Sequence, residues 1–286
     1  MGSEPAPAKI NLYLHVVGRR ADGFHLLDSL VVFAKIADRV AVSPAASLTL
    51  AIEGPFAASL ADLPVETNSA MRAARALAGA FAVAHGAAIR LTKNLPVGAG
   101  IGGGSADAAA TLRALARLWR LDAADRRLAA LAPTLGADVP VCLANRPAFV
   151  GGIGESLRSA PHLPSFGLVL ANPGVVLSTA EVFARRRGAF STPSRFFEPP
   201  RDTRDLAEIL AARRNDLTVT AVRLVPAVAE VEAALASSPG CLLARMSGSG
   251  PTCFGLYPDA PAARHARAWL TARAPSWWIL ATAIGG

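Results

Sequence analysis

A glycine-rich segment in the first half of the chain has the composition of a phosphate-binding loop. Five glycines fall within residues 98–104, after a short apolar run at 88–92 and before an alanine-rich run that begins at Ser105. Glycines let backbone N–H groups approach anionic oxygens, and a helix N-terminus adds partial positive charge. The segment therefore predicts binding of a nucleotide or another phosphorylated ligand.

Two common nucleotide-binding motifs do not explain this segment. Gly98, Gly100 and Gly103 have the spacing of a dinucleotide fingerprint, but that motif requires a second strand that ends in an acidic residue about 20 positions later. Asp122 lies at that distance and directly follows a predicted helix. A Walker A motif would need a lysine after the last glycine, where Ser105 stands. A flexible connector remains the alternative, although connectors rarely place glycines so densely before a helix.

Further residues could carry chemistry, and each has a plainer explanation. Lys9 lies in an apolar strand, where an ammonium group must be paired. Asp138 lies in a Gly-Ala-Asp-Val-Pro segment, as a turn former or as a base. Phe24 and His25 follow a tight turn and suit either packing or recognition. A second glycine turn at 246–252 is equally typical of a hairpin.

Composition excludes several classes of protein. The formal net charge of +8 comes mainly from dispersed arginines, and such a field also attracts a polyanionic small substrate. Apolar runs are too short to span a membrane, and no secretory signal is visible, so we expect a cytoplasmic protein without membrane partners. The three cysteines are expected to be reduced and mostly buried, and we predict no structural zinc. The sequence also lacks the G-x-S-x-G nucleophile motif of acyl-transfer hydrolases.

The periodicity predicts an α+β protein of two lobes, residues 1–160 and 161–286. Alternating residues predict a strand at 10–16, and Asp22-Gly23 predicts a turn at 18–23. An irregular, exposed and mobile loop is expected at 188–203. The other predicted strands are 30–42, 48–52, 88–93, 148–150, 166–171, 242–246, 252–257 and 277–282. The main predicted helices are 68–84, capped by Asn68; 105–119; 122–134, capped by Asp122; and one opened by Asp259.

Four segments, taken together and in order, resemble the GHMP kinases, named for galactokinase, homoserine kinase, mevalonate kinase and phosphomevalonate kinase. The segments are PAKINL at 7–12, GRRADGFH at 18–25, PVGAGIGGGSA at 96–106 and SGSGPTC at 247–253. The first two are most similar to members that phosphorylate 4-diphosphocytidyl-2-C-methyl-D-erythritol in non-mevalonate isoprenoid biosynthesis. The resemblance runs from Pro7 to Tyr257 and is weakest over 185–240.

The resemblance implies the two-lobe GHMP kinase fold, with ATP bound by the N-terminal lobe and substrate by the C-terminal lobe. ATP and Mg²⁺ would phosphorylate the 2-hydroxyl group of the cytidyl substrate. By matching position, Asp138 would be the general base. Lys9 would hold Asp138 ionised and stabilise the developing charge.

The resemblance also assigns ligand contacts. Asn11 would lie near the reacting hydroxyl, His25 would read the cytosine edge, and Phe24 and Phe183 would stack on its faces. Thr179 would close that pocket. Gly248 and Gly250 would line the substrate side. Residues implied in ATP binding are Asn68, Lys93, Pro96, Gly98, Gly100, Ile101, Gly102, Gly103, Gly104 and Ser105.

Some questions stay open at the level of sequence. The magnesium ligands are not assigned, and Ser105 is a candidate through ATP-bound metal. The stacking position held by Phe24 is often tyrosine in the family, so a hydroxyl hydrogen bond is lost here. We expect a monomer or homodimer with a small-molecule substrate and no nucleic-acid partner. The alternatives are a homoserine-type or mevalonate-type kinase, which would not use a cytidine pocket at His25, and a basic RNA-binding protein.

Overall fold

The structure, a computed structural model, describes residues 3–285. The strands are β1 Glu4–Arg19, β2 His25–Ala45, β3 Thr49–Glu53, β4 Gly86–Thr92, β5 Ala148–Gly152, β6 Ser156–Ser159, β7 Phe166–Asn172, β8 Leu243–Met246, β9 Cys253–Tyr257 and β10 Trp278–Ile284. The α-helices are α1 Ser69–Phe81, α2 Gly103–Leu118, α3 Arg126–Leu135, α4 Val139–Ala144, α5 Thr179–Arg185, α6 Thr203–Ala211, α7 Thr218–Leu224, α8 Ala227–Ala236 and α9 Ala260–Arg273. Short 3-10 helices occur at Ala57–Leu60 and Val65–Thr67.

The observed helix ends confirm one predicted boundary and correct two others. Asn68 caps α1 as predicted, because its side chain accepts a hydrogen bond from the backbone of the first turn. The predicted end at residue 84 is wrong, because Ala82 takes a left-handed conformation with φ 49° and ends α1 at Phe81. The predicted cap of α3 is also wrong. Asp125, not Asp122, accepts the capping hydrogen bond, at 2.8 Å from Arg127 N.

The apolar segment after residue 138 forms a helix that periodicity did not reveal. Helix α4 has only six residues, and Pro140 at its start has the appearance of a helix breaker in sequence. Proline is nevertheless favoured in the first helical turn, where its missing N–H has no intrahelical partner. Asp138 therefore stands at the N-cap of a short helix rather than in an isolated turn.

Two compact units make up the chain. Unit 1 contains the chain up to Lys9, Ile36–Val97 and Gly102–Arg146. Unit 2 contains Ile10–Lys35, Gly98–Ile101 and the chain from Pro147 onward. Strands β1 and β2 each contribute residues to both units, so the units alternate along the sequence. A lobe boundary between residues 160 and 161 stays a prediction.

Unit 1 packs four helices together beside a small group of strands. Strand β4 pairs in parallel with β3 and antiparallel with the second half of β2, Arg39–Ala45. Helices α1 and α2 make the most extensive helix contact, and α4 packs on α2. Small alanines such as Ala73 and Ala109 are fully buried here, so the helices approach closely. This close packing fixes the first turn of α2, where the glycine-rich segment ends.

Unit 2 is built on an antiparallel sheet of order β10-β7-β9-β8. Strand β7 is buried along its whole length, and helices α8 and α9 pack against the sheet. Elsewhere in this unit, the first half of β2 pairs with β5, and β5 pairs with β6. Leu14 and Val16 of β1 belong to its hydrophobic core.

The segment 188–203 is irregular, as predicted, but it is anchored within unit 2. Asp28 is buried and accepts hydrogen bonds from Ser194 N and Arg195 Nε, both at 2.7 Å. Ser191 N donates to Val16 O at 2.9 Å. These contacts hold the middle of the segment against β1 and β2, while most of its other residues are exposed, as expected. The mobility of the segment stays a prediction.

Other sequence predictions concern the cysteines and the membrane. Cys142 and Cys253 are buried thiols and Cys241 is half-buried, and all three are free, as predicted. None of the helices between residues 3 and 285 has the length and apolar character that crossing a membrane requires.

Candidate active site

An ion pair between Lys9 and Asp138 forms the centre of the candidate site in unit 1. Lys9 Nζ lies 2.9 Å from Asp138 Oδ2. The Lys9 side chain is 5% exposed, whereas that of Asp138 is 38% exposed. A buried ammonium needs an opposite charge, and Asp138 supplies it without capping its own helix. The pair therefore presents a carboxylate that an external molecule can reach, beside a fixed positive charge.

The first turn of α2 lies directly over the Lys9 side chain. Gly102 has φ +66°, and a Cβ atom there would stand 3.0 Å from Lys9 Cβ and Cε. Ser105, in the same turn, has its Oγ atom 3.9 Å from the Cβ position of Gly136, two residues before Asp138. Unit 1 thus brings together a helix N-terminus, an ammonium and a reachable carboxylate. The roles assigned to Gly102 in ATP binding and to Lys9 and Asp138 in catalysis stay predictions.

A buried cluster of three charges supports the same turn of α2 from beneath. Lys93 Nζ lies 2.8 Å from Asp107 Oδ2 and also donates a short hydrogen bond to Asp38. The other oxygen of Asp38 accepts a hydrogen bond from Leu95 N at 2.9 Å. A Cβ atom on Gly103 would stand 3.6 Å from Lys93 Nζ. The cluster therefore ties the residues before the glycine-rich segment to the helix after it.

The cluster has one more carboxylate than ammonium groups. Burial by itself lowers the pKa of Lys93, but the adjacent Asp107 and Asp38 outweigh it and raise that pKa above its ordinary value. Burial, opposed by Lys93 and reinforced by Asp38, raises the pKa of Asp107 to about 7. Oδ1 of Asp107 is buried and accepts no hydrogen bond from the described residues. The Asp107 carboxyl group can therefore gain a proton near neutral pH.

Asp38 and Asp107 were not identified from the sequence. The available signal was an aspartate inside the alanine-rich run of α2, where a buried charge requires a partner. Lys93 was predicted to contact the nucleotide. In the structure its ammonium faces the two carboxylates, and a nucleotide contact stays a prediction.

The other residues assigned to ATP differ in accessibility. The Asn68 side chain is occupied as the cap of α1. Pro96 and Ile101 are buried and shape the segment from inside. Gly98 and Gly104 are exposed, and Gly100, Gly102, Gly103 and Ser105 are half-buried. The glycines, rather than Pro96 or Ile101, thus offer backbone to a ligand.

In unit 2 the two glycine turns pack backbone against backbone. A Cβ atom on Gly100 would stand 2.5 Å from Gly250 O, and one on Gly248 would stand 2.6 Å from Gly100 O. Ala99 O accepts a hydrogen bond from Thr252 N at 3.2 Å. The turn at 246–252 therefore supports the first glycine segment, which explains its glycines better than a simple hairpin does. Substrate contact by Gly248 and Gly250, both buried, stays a prediction.

Asn11 is held by two serines in unit 2. Its backbone N–H donates to Ser247 Oγ at 3.1 Å, and its side-chain Nδ2 donates to Ser29 Oγ at 2.8 Å. Ser29 Oγ in turn donates to Tyr13 O at 2.5 Å. These bonds fix which way the Asn11 amide faces, a role for Ser29 that sequence did not suggest. Thr179 Oγ1 lies 2.7 Å from Ser249 Oγ.

His25 and Phe183 lie together, with ring centroids 5.4 Å apart and an interplanar angle of 30°. Phe24 is 58% exposed. Burial, followed by the charges of Arg19 and Arg186, lowers the pKa of His25 below 6.5. The imidazole is therefore neutral at neutral pH, with one nitrogen as donor and the other as acceptor. Stacking of Phe24 and Phe183 on a base stays a prediction.

Comparisons with protein families give two matches. The family model described as GHMP kinases N terminal domain matches residues 68–146, and that described as GHMP kinases C terminal matches residues 197–275. The chain is 56% identical to 4-diphosphocytidyl-2-C-methyl-D-erythritol kinase of Paramagnetospirillum magneticum, covering 96% of this chain and 95% of the relative. It is 53% identical to the protein of that name from Cereibacter sphaeroides, covering 98% of each.

Solved structures show the same relationship. A crystal structure of 4-(cytidine 5'-diphospho)-2C-methyl-D-erythritol kinase superposes with a TM-score of 0.80 and 36% identity, covering 100% of both chains. Homoserine kinase from Cytophaga hutchinsonii superposes with a TM-score of 0.73 over 99% of this chain and 93% of the other. Its 16% identity supports a common fold alone.

Proposed function

Because the chain belongs to the GHMP kinase family, we propose that it phosphorylates 4-diphosphocytidyl-2-C-methyl-D-erythritol with ATP. The acceptor in this proposal is the 2-hydroxyl group. The observation that carries the chemistry is the Lys9–Asp138 ion pair beneath the first turn of α2. That arrangement provides a base, a cation and a phosphate-binding helix end within unit 1.

Asp138 is the proposed general base. Its carboxylate accepts the hydroxyl proton while the hydroxyl oxygen forms a bond to the γ-phosphorus of ATP. The bond between that phosphorus and the β–γ bridging oxygen breaks, and ADP leaves with the electron pair. Lys9 provides positive charge beside the carboxylate and the transferring group. Such a reaction depends chiefly on positioning and charge stabilisation.

The first turn of α2 is the proposed cradle for the ATP phosphates. The first N–H groups of a helix have no intrahelical partners, and Gly102, Gly103 and Gly104 leave them accessible. The described residues contain no group of three His, Cys, Asp or Glu that could bind a metal by itself. Mg²⁺ often keeps several waters and binds nucleotide phosphates with few protein ligands. The half-buried Ser105 hydroxyl fits that pattern, and the metal would neutralise phosphate charge when bound.

Recognition of the cytidyl group is assigned to unit 2. The neutral imidazole of His25 can exchange hydrogen bonds with cytosine, which offers an amino donor and ring acceptors. Phe183 beside His25 and the exposed Phe24 provide aromatic surfaces for the base. Asn11, Thr179, Gly248 and Gly250 complete the proposed substrate contacts. The net charge of +8 suits a substrate and cosubstrate that both carry phosphates.

ADP release from Mg-ATP by the purified protein tests the substrate. Turnover with the cytidyl substrate, and none with homoserine or mevalonate, is expected. Turnover with homoserine or mevalonate instead would contradict the cytidine assignment. Salt-dependent RNA binding without any turnover would favour the RNA-binding alternative.

The variant Asp138→Asn tests the base. It keeps the shape of the side chain and should lower kcat by about a hundredfold or more, while the Kd for ATP stays close to the wild-type value. Asp125→Asn is the matched control, because asparagine also caps a helix and α3 lies in the same unit. Retained turnover, or a parallel loss of ATP affinity, would show that Asp138 has another role.

A further inference from the structure

We infer that Arg113 is a positioning residue for the proposed phosphoryl transfer. It lies on α2 and connects the end of helix α4, which begins after Asp138, to the start of strand β1, which carries Lys9. The inference rests on the proposed function, because it concerns the two residues that we assign to catalysis.

The Arg113 guanidinium joins two elements through four acceptors. On α4, Nη1 donates to Cys142 O at 2.9 Å and to Leu143 O at 3.5 Å. On β1, Nη2 donates to Pro5 O at 3.0 Å and Nε donates to Glu4 Oε1 at 2.6 Å. A planar guanidinium fixes the directions of its N–H groups, so these bonds set the distance and the angle between the two elements.

The hydrogen bonds from Arg113 reach the C-terminal end of α4, the end opposite to Asp138. The last carbonyl groups of a helix have no intrahelical partners, and a cation at that end is favourable. Helix α4 has six residues and spans about 9 Å, so restraining its end also restrains Asp138. Pro5 lies four residues before Lys9 on the same strand. Arg113 therefore sets the register that brings Lys9 Nζ within 2.9 Å of Asp138 Oδ2.

Arg117 provides a matched control on the same helix. It also forms an ion pair with Glu4, through the other carboxylate oxygen, but its side chain is 62% exposed. The Arg113 side chain is 19% exposed. Arg117→Met therefore removes a cation beside Glu4 while leaving the hydrogen bonds between Arg113 and α4 in place.

Steady-state kinetics of Arg113→Met, Arg113→Lys and Arg117→Met test the role. Arg113→Met should lower kcat by about tenfold or more with both KM values within about twofold of wild type, because a misplacement of about 1 Å can be that damaging. Arg113→Lys keeps the positive charge but loses the planar, multiple-donor geometry of the guanidinium. Its kcat should fall between those of Arg113→Met and the wild type. Arg117→Met should keep the wild-type kcat.

A double-mutant cycle separates positioning from general stability. If Arg113 acts through Asp138, adding Arg113→Met to Asp138→Asn should cause no further loss of kcat. An additive loss, or equal losses in Arg113→Met and Arg117→Met, would overturn the inference. If Arg113→Met does not fold, Arg113→Lys decides: a reduced kcat at wild-type Tm supports positioning, and a wild-type kcat overturns it.

The thiol of Cys142 gives a readout that does not depend on activity. Cys142 is buried on α4, and burial raises its pKa, so alkylation should be slow in the wild type. Arg113→Met should speed iodoacetamide labelling of Cys142 several-fold, with Cys253, buried in unit 2, as the internal reference. Unchanged labelling would show that Arg113 does not hold α4. If the wild type fails to phosphorylate the cytidyl substrate, the proposed function falls, while labelling still decides whether Arg113 restrains α4.

Discussion

Replacing Asp107 with asparagine should remove a pH-dependent loss of stability. Asp107 and Asp38 share the single ammonium of Lys93 in a buried cluster, so ionisation of both leaves an excess negative charge away from water. Burial raises the pKa of Asp107 from 3.8 to about 7. The variant Asp107→Asn keeps the side-chain shape and leaves a neutral Lys93–Asp38 pair.

The sign and size of the effect follow from proton linkage. Between about pH 4 and pH 7, native Asp107 holds a proton that the unfolded chain has released, so raising the pH favours unfolding. The stabilisation is complete below the unfolded pKa and is lost as the pH rises through about 7. At about 1.4 kcal/mol for each pKa unit, the free energy of unfolding falls by about 4 kcal/mol over this range. Asp107→Asn should lack this decline and gain on the order of 10 °C in Tm relative to wild type from about pH 4 to about pH 8.

Thermal unfolding of wild type and variant across this pH range is the assay. Asp125→Asn serves as the control, since Asp125 is half-buried outside the charged cluster and its pKa is lowered by the hydrogen bond with Arg127. Parallel curves of Tm against pH for wild type and Asp107→Asn would refute the reasoning. They would mean that the cluster keeps the same charge throughout.

Two further predictions concern the glycine-rich segment and the cytidine side. Gly102→Ala should lower kcat, because its Cβ atom would contact the Lys9 side chain. Gly174→Ala is the control, since φ is +80° at that position and no atom lies within 4 Å of the added Cβ. This control should lower Tm without lowering kcat. A normal kcat in Gly102→Ala would argue against the contact with Lys9. Because the pKa of His25 is lowered, KM for the cytidyl substrate should stay constant from about pH 8 down to 6.5 and rise only below it. His25→Ala should raise KM and abolish this rise, and a wild-type KM that already increases above pH 6.5 would contradict the assignment.

Local features of the structure could be predicted from the sequence. The strand, glycine-rich segment and helix around residues 98–104 follow from neighbouring residues alone, because glycine spacing and alanine content set backbone preferences over a few positions. An ammonium in an apolar strand also predicted that Lys9 must be paired. The identity of its partner came from the resemblance to GHMP kinases, and the ion pair with Asp138 confirms that the two residues meet.

Helix boundaries show the limit of local reasoning. Asp122 and Asp125 are equally good caps in sequence, and the structure uses the one whose side chain meets the first turn of α3. Helix α4 was missed because six residues are too few to show a helical period. Packing against α2 stabilises such a short helix, and the residues of α4 do not by themselves indicate that packing.

Only the tertiary structure decided how distant residues share charge and space. Lys93 donates a hydrogen bond to Asp38, which lies 55 positions away in the sequence. Gly100 packs against Gly248, nearly 150 positions away. No sequence motif indicates either contact. Arg113 joins Glu4 to α4 in the same way. The sequence by itself determined which residues could bind phosphate and which buried charge required a partner, since burial and backbone preference are properties of short segments. The partners themselves depend on how the whole chain packs, because each buried charge takes the opposite charge that the completed fold brings within reach.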